Sequence, residues 1–376
     1  MAERLKDIFF APAFLKKLAT GLRQVYPRFD QNIFFNSIND GAWEARELLE
    51  RMHHIAACLQ QMLPQPYSRA LEILQRVAPQ FQGFEALVFP DYVEQYGLHD
   101  WDLSLPALGF FTQFGSSEFA VRPFLREDPE RVMAYMKQWA EDANPLVRRL
   151  ASEGCRPRLP WAMALPAFKK DPRPILPILE KLKDDEAETV RRSVANNLND
   201  ISKDHPELML EICERWYGRS ERTDWIVKHA CRSLLKAKHK SALRLFGFGE
   251  ARQVRVNNLK LAKKRIAIGE ELYFLFDLKV SGEKECKVRA EYTIDFLKAH
   301  GGTSTKVFQL TEKSYAPGVY AMSRRYSTAD KTTRKHYPGK HRLAIVVNGK
   351  EQAEVWFELL IRQSRKQTQK AKRLKE

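Results

Sequence analysis

Between Asn144 and Pro166 the chain reads NPLVRRLASEGCRPRLPWAMALP. Arg148, Arg149, Arg156 and Arg158 surround a single carboxylate, Glu153, which Gly154 follows, and a Pro160-Trp161 step comes soon after. Arginines hold phosphate oxygens through charge-assisted, often paired hydrogen bonds. A carboxylate among them subtracts from phosphate affinity, so it needs a purpose of its own. An ionised carboxylate stabilises positive charge developing on a reacting carbon and can take a proton from water. An indole face attracts a cation by about 0.5–2 kcal/mol. The set suits a reaction that develops positive charge beside a polyanion. Each member also has a plainer use: Glu153 could only pair with Arg149 or Arg156, and Trp161, at what reads as the first turn of a new helix, could be core.

Helices must position these groups. Up to about Phe246 apolar residues recur at spacings of three and four, as in Ala42–Leu63 and Pro129–Asp142, with breaks at Pro64/Pro66, Asp171/Pro172 and His205/Pro206. Asn144–Gly154, Ala187–Leu198 and Asp224–Leu235 share an apolar-Val-basic core, with valines at Val147, Val190 and Val227. A spacing of roughly forty residues is that of two- or three-helix repeats stacked into a solenoid. In each copy the basic pair is placed early in its helix, so stacking predicts one cationic line: Arg148 and Arg149, Arg191 and Arg192, Lys228, and Arg232 beyond it. A solvated face bridging to its neighbour is the alternative.

The chain as a whole sets limits. Its 376 residues suffice for two domains or three. A formal net charge of +16 points to a polyanionic partner, nucleic acid before an anionic membrane. No apolar run reaches the length of a membrane span, and Ile8–Leu15, broken by Pro12 and followed by Lys16 and Lys17, reads as an amphipathic first helix, not a signal sequence. Cys58, Cys155, Cys213, Cys231 and Cys286 are odd in number and lack metal-ligand spacing. Reduced thiols in a cytoplasmic setting, with no structural zinc, are expected.

After Gly247–Gln253 the period changes to two. Leu272–Val280, Cys286–Leu297, Thr305–Tyr315 and His341–Ile361 read as strands, the last with a hairpin turn at Asn348-Gly349. Seven or so short strands predict an immunoglobulin-like sandwich without its disulfide. The expected architecture is mainly α: a helical-repeat domain over 1–250, a sandwich over 254–362, and a basic, disordered tail over 363–376.

Helical repeats carrying VRRLASEGCRPRLPWA (Val147–Ala162) and then a β-sandwich resemble the AlkC branch of the HEAT-like-repeat alkylpurine DNA glycosylases. The resemblance spans essentially the whole chain, and the run from Ser152 to Trp161 is its most specific part. It implies a DNA repair enzyme that excises N-methylated bases, chiefly 3-methyladenine and 3-methylcytosine, without flipping them into a pocket. It also implies a sandwich that joins the solenoid in encircling double-stranded DNA. By the family pattern Glu153 is the main catalytic carboxylate, Trp161 the wall beside it, and Glu118 and Asp200 two further acids lining the site. Arg148, Arg149, Arg156, Arg158, Arg191, Arg192, Lys228 and Arg232 are the expected DNA contacts.

A base methylated on a ring nitrogen is a cation that departs neutral, so the leaving group needs no acid. Glu118 could instead complement a helix dipole, and Asp200, near a helix end, could be a turn former. Cys155 reads as packing. No lysine stands out as a Schiff-base nucleophile, so a monofunctional hydrolase without metal or cofactor, working as a monomer, is expected. The competing reading is a non-catalytic nucleic-acid-binding scaffold, which would leave Glu153 unexplained.

Overall fold

The computed structural model describes residues 5–249, 252–331 and 334–361; the expected tail lies outside them. The chain divides into two compact units, Met1–Arg232 and Ser233–Glu376.

The first unit is helical throughout. Many of its helices begin in the same way, with proline at the first or second helical position, where no N–H is missed. Asn144 adds a side-chain cap to Leu146 N ahead of Pro145–Glu153, and Asp128 caps Arg131 N ahead of Pro129–Trp139. The three echoed segments form adjacent helices. Pro145–Glu153 packs on Glu188–Ile201, which packs on Glu221–Ala230, while Pro129–Trp139, Leu176–Leu182 and Pro206–Trp216 form a second layer behind them. Val147, Val190 and Val227 are all buried, so the repeated valine is the core position of each repeat.

Two expectations about these helices are corrected. In the third copy the basic pair falls in the last turn of Glu221–Ala230, not the first, because that helix, capped by Ser220, begins three residues ahead of the segment that echoes the others. The Pro160-Trp161 step opens no helix. Trp161 sits in a turn with φ of 65°, and the next helix starts only at Pro166.

The second unit is a sandwich of eight strands among the described residues. These are β1 (Val254–Leu261), β2 (Arg265–Ala267), β3 (Glu271–Val280), β4 (Cys286–Leu297), β5 (Thr303–Tyr315), β6 (Gly318–Ser327), β7 (Gly339–Val347) and β8 (Lys350–Leu360). One sheet runs β1-β3-β6 and the other β2-β8-β7-β4-β5. Alternate residues of β3 and β4 meet between the sheets, with the Phe274 and Tyr292 rings 5.1 Å apart. The β7–β8 hairpin turns at Asn348 and Gly349 with φ of 47° and 79°, the mirror-image turn that Asn-Gly favours. The helix Lys240–Leu245 belongs to this unit, since Leu243 lies against that turn.

Candidate active site

The turn after Gly115, the helix Pro145–Glu153 and the loop that follows it enclose a cleft of about 650 Å³. Glu118, Arg149, Glu153, Arg156 and Trp161 all line it, with Phe84, Phe114 and Phe119 giving an aromatic wall. Gly154 lets the end of the Glu153 helix come this close to its neighbours. A Cβ there would lie 2.8 Å from Val121 Cγ1 and 3.0 Å from the Leu150 carbonyl oxygen.

The charged groups form an alternating chain across three repeats. Arg149 donates to Glu118 at 2.6 Å and lies 3.8 Å from Glu153. Arg156 donates from Nη1 to Glu153 at 2.6 Å and from Nε to Asp200 at 2.9 Å, and Lys203 donates to the other oxygen of Asp200 at 2.9 Å. The second oxygen of Glu153 accepts from Ser193 Oγ at 2.6 Å, and Ser116 donates to Glu118. Burial opposes the charge on both arginines, yet their carboxylate neighbours outweigh it and hold each guanidinium above its ordinary pKa. Both oxygens of Glu153 are therefore oriented before any substrate arrives, which is the preorganisation that electrostatic catalysis uses.

Glu118, Glu153 and Trp161 line one cleft. Trp161 is 68% exposed, which excludes the core reading. Glu118 lies in the turn ahead of Arg122–Glu127 and points into the cleft. Asp200 is buried behind Arg156 and does not line the cleft; it reaches Glu153 only through that guanidinium. Cys155 is buried, its thiol pushed up to about 12, as a packing residue should be.

The remaining cations are placed differently from one another. Arg148 is held by Asp185 at 2.6 Å and by the carbonyls of Asp142 and Ala143. Arg191 repeats this one unit on, donating to the carbonyls of Asp185 and Glu186 at 2.7 Å. The first arginine of each pair thus tethers the loop before its own helix. Arg192 stays 60% exposed beside Glu188, and Lys228 is exposed. Arg158 pairs with Asp204, and Arg232 donates to Asn196 and the His229 carbonyl.

Sequence reasoning missed Arg122. It is fully buried and gives all three guanidinium nitrogens to carbonyls: Nε to Met163 at 2.7 Å, Nη1 to Gly154 and Nη2 to Arg156, both at 2.9 Å. The only hint in the sequence is a cation in an otherwise apolar stretch, Phe119–Leu125, where exposure would be expected.

Residues 112–234 match the family model described as DNA alkylation repair enzyme, and 255–361 match the model described as the C-terminal Ig-like domain of the uncharacterised protein YhaZ. The chain is 47% identical to uncharacterized protein YhaZ of Bacillus subtilis over 356 residues, 94% of this chain and 99% of that one. It is also similar to the Pseudomonas fluorescens alkylpurine DNA glycosylase AlkC bound to DNA containing an abasic site analog: 39% identity, TM-score 0.92, covering 95% of this chain and 100% of that chain. The chain belongs to the AlkC-type alkylpurine DNA glycosylases of the DNA alkylation repair enzyme family. Among the described residues, no helix is long and apolar enough to cross a membrane.

Proposed function

We propose that this glycosylase hydrolyses the N-glycosidic bond of cationic N-methylated bases, 3-methyladenine and 3-methylcytosine, in double-stranded DNA. The observation that carries the reading is Glu153, fixed at both oxygens on the cleft wall beside an exposed tryptophan. As the C–N bond breaks, its electron pair moves to the ring nitrogen and cancels the base's positive charge. The base leaves neutral, and positive charge builds on the sugar. The Glu153 carboxylate stabilises that charge and takes the proton of the water whose oxygen bonds to the anomeric carbon. Trp161 offers its face to the cation, and Glu118 adds negative potential from the facing repeat. Asp200 acts at one remove, by holding Arg156 against Glu153.

Among the described residues of the cleft wall, the titratable groups are carboxylates and guanidiniums. A guanidinium does not release its proton near neutral pH. That favours a monofunctional hydrolase whose substrates need no leaving-group acid. Trp161 stands at the rim rather than in a closed pocket, which favours attack on a base left in the stack. DNA as partner is supported by the AlkC relative, bound to DNA containing an abasic site analog, and by the net charge of +16. We place the enzyme in the cytoplasm, as a monomer on DNA.

The test is to incubate the protein with methylated genomic DNA and identify the released bases by mass spectrometry. Release of 3-methyladenine and 3-methylcytosine is expected. Release of uracil from uracil-containing DNA at a comparable rate would refute the mechanism, because a neutral base needs leaving-group activation.

A further inference from the structure

We infer that Arg122 is a positioning residue for base excision, its buried guanidinium holding the loop that carries Trp161 against the corner formed by Glu153 and Arg156. The inference rests on the reaction proposed above. All three acceptors of Arg122 lie in one short stretch, at Gly154, Arg156 and Met163. That stretch begins beside Glu153, contains the arginine that bridges Glu153 to Asp200, and ends two residues past Trp161.

An exposed ring gains little from packing, so its own contacts cannot hold it in place. Trp161 is 68% exposed and its φ of 65° lies in the left-handed region that side-chain-bearing residues avoid. Its location is therefore set by the backbone on either side. On that backbone, among the described residues, the internal ties are Arg156 N to the Glu153 carbonyl at 3.3 Å, Ala162 N to the Leu159 carbonyl at 3.4 Å and Leu165 N to the Pro157 carbonyl at 3.2 Å, while the Arg158 side chain pairs outward with Asp204 at 2.6 Å. The planar fork of Arg122 alone among these reaches both ends of the loop at once, with bonds of 2.7 Å to Met163 and 2.9 Å to Gly154 and Arg156. Burial pushes its pKa down to about 10, so it remains charged at neutral pH against carbonyl dipoles. Arg122 also follows Glu118 by four residues. One short segment thus delivers a carboxylate to the cleft and a cation to the back of the opposite wall, and the two sides keep a fixed separation.

The experiment combines kinetics with hydrogen exchange on the full chain. Arg122→Lys keeps the charge and loses the fork. Single-turnover excision of 3-methyladenine from a defined duplex should fall about tenfold to a hundredfold, the penalty for roughly an ångström of misplacement, with Kd for the duplex changed less than about threefold. Trp161→Ala in the Arg122→Lys background should cost about threefold or less, against tenfold or more in the wild type, because residues acting through one another are not additive. Amide exchange should rise over 155–165 and stay unchanged in the helix Glu188–Ile201. Multiplying effects, or exchange that rises evenly through the helical unit, would overturn the assignment and leave Arg122 a general stabiliser. If Arg122→Lys does not fold, Arg122→Gln, which buries no unpaired charge, takes its place. Failure of both to fold would also overturn the assignment. A wild-type protein that excises no methylated base would refute the proposed function instead, while the exchange measurement would still test the tether.

Discussion

Replacing Trp161 with alanine separates a site residue from a structural one. The ring is 68% exposed. A tryptophan can bury up to about 250 Å², so roughly a third of that, about 80 Å², is at stake. At about 25 cal/mol per Å² the loss is at most about 2 kcal/mol, which for a unit of this size lowers Tm by at most roughly 4–8 °C. Trp216 is the internal control. It is 2% exposed, and its indole N–H donates to Glu180 at 2.8 Å. Trp216→Ala should cost about 3–5 kcal/mol and roughly 6–20 °C. Activity should show the opposite order. On the proposed mechanism Trp161→Ala removes cation–π and packing contacts to the departing base and sugar worth about 1.4–4 kcal/mol, so single-turnover excision should fall about tenfold to a thousandfold. Trp216→Ala should leave the folded fraction with nearly normal rates. Thermal melts and single-turnover assays on the two purified variants suffice. A Trp161→Ala protein that melts as early as Trp216→Ala, yet excises normally when folded, would remove Trp161 from the site.

Other expectations follow from the same geometry. Binding should weaken with salt by about 0.9 log units per phosphate contact per log unit of salt, and Arg192→Ala should remove about one contact from that slope. Arg148→Ala, which breaks a pair with Asp185 and two loop carbonyls, should lower Tm and leave the slope unchanged; equal slope changes in both variants would contradict this division. His229 stacks on Trp225, and its pKa is pushed down to about 4 by burial first and then by Arg232 and Arg192. Between an unfolded value of about 6.5 and that depressed value only the unfolded chain binds the proton, so stability falls as pH drops through this window. His229→Gln should flatten the fall in melts from pH 7 to pH 4.5, and an unaltered profile would exclude the residue. Gly154→Ala should cost about 1–3 kcal/mol in urea melts by forcing a methyl against Val121 and Met136; a neutral effect would mean the contact relaxes.

What the sequence made legible was what local chemistry decides. Asn348-Gly349 specifies its own turn, and β3, β4 and β5 are apolar- and β-branched-rich enough to be placed within two residues, although only β3 shows a clean alternation of burial. β1 escaped notice because its alternation stops at a register shift between Asn257 and Lys260. β2 is only three residues long, and β6 sits largely exposed, with Arg324 and Arg325 hiding its period. The site was legible as a set of residue types, but its bonds were not. Arg148 finds Asp185 37 positions away and Arg156 finds Asp200 44 away, so a sequence shows charges without showing which are already satisfied. Arg122 is the extreme case, since nothing local says that a cation points inward toward carbonyls 32 to 41 residues on. Asp200 was visible as a carboxylate at the wrong end of a helix; its partner explains the placement.

The most direct test of the central claim is single-turnover excision of 3-methyladenine by Glu153→Gln, an isosteric change that can retain the Ser193 contact while removing the charge. The expected result is duplex binding within about threefold of wild type and a rate lower by about a hundredfold to a thousandfold, on the scale of losing one preorganised electrostatic group. A folded Glu153→Gln protein that excises at near wild-type rate would contradict the account.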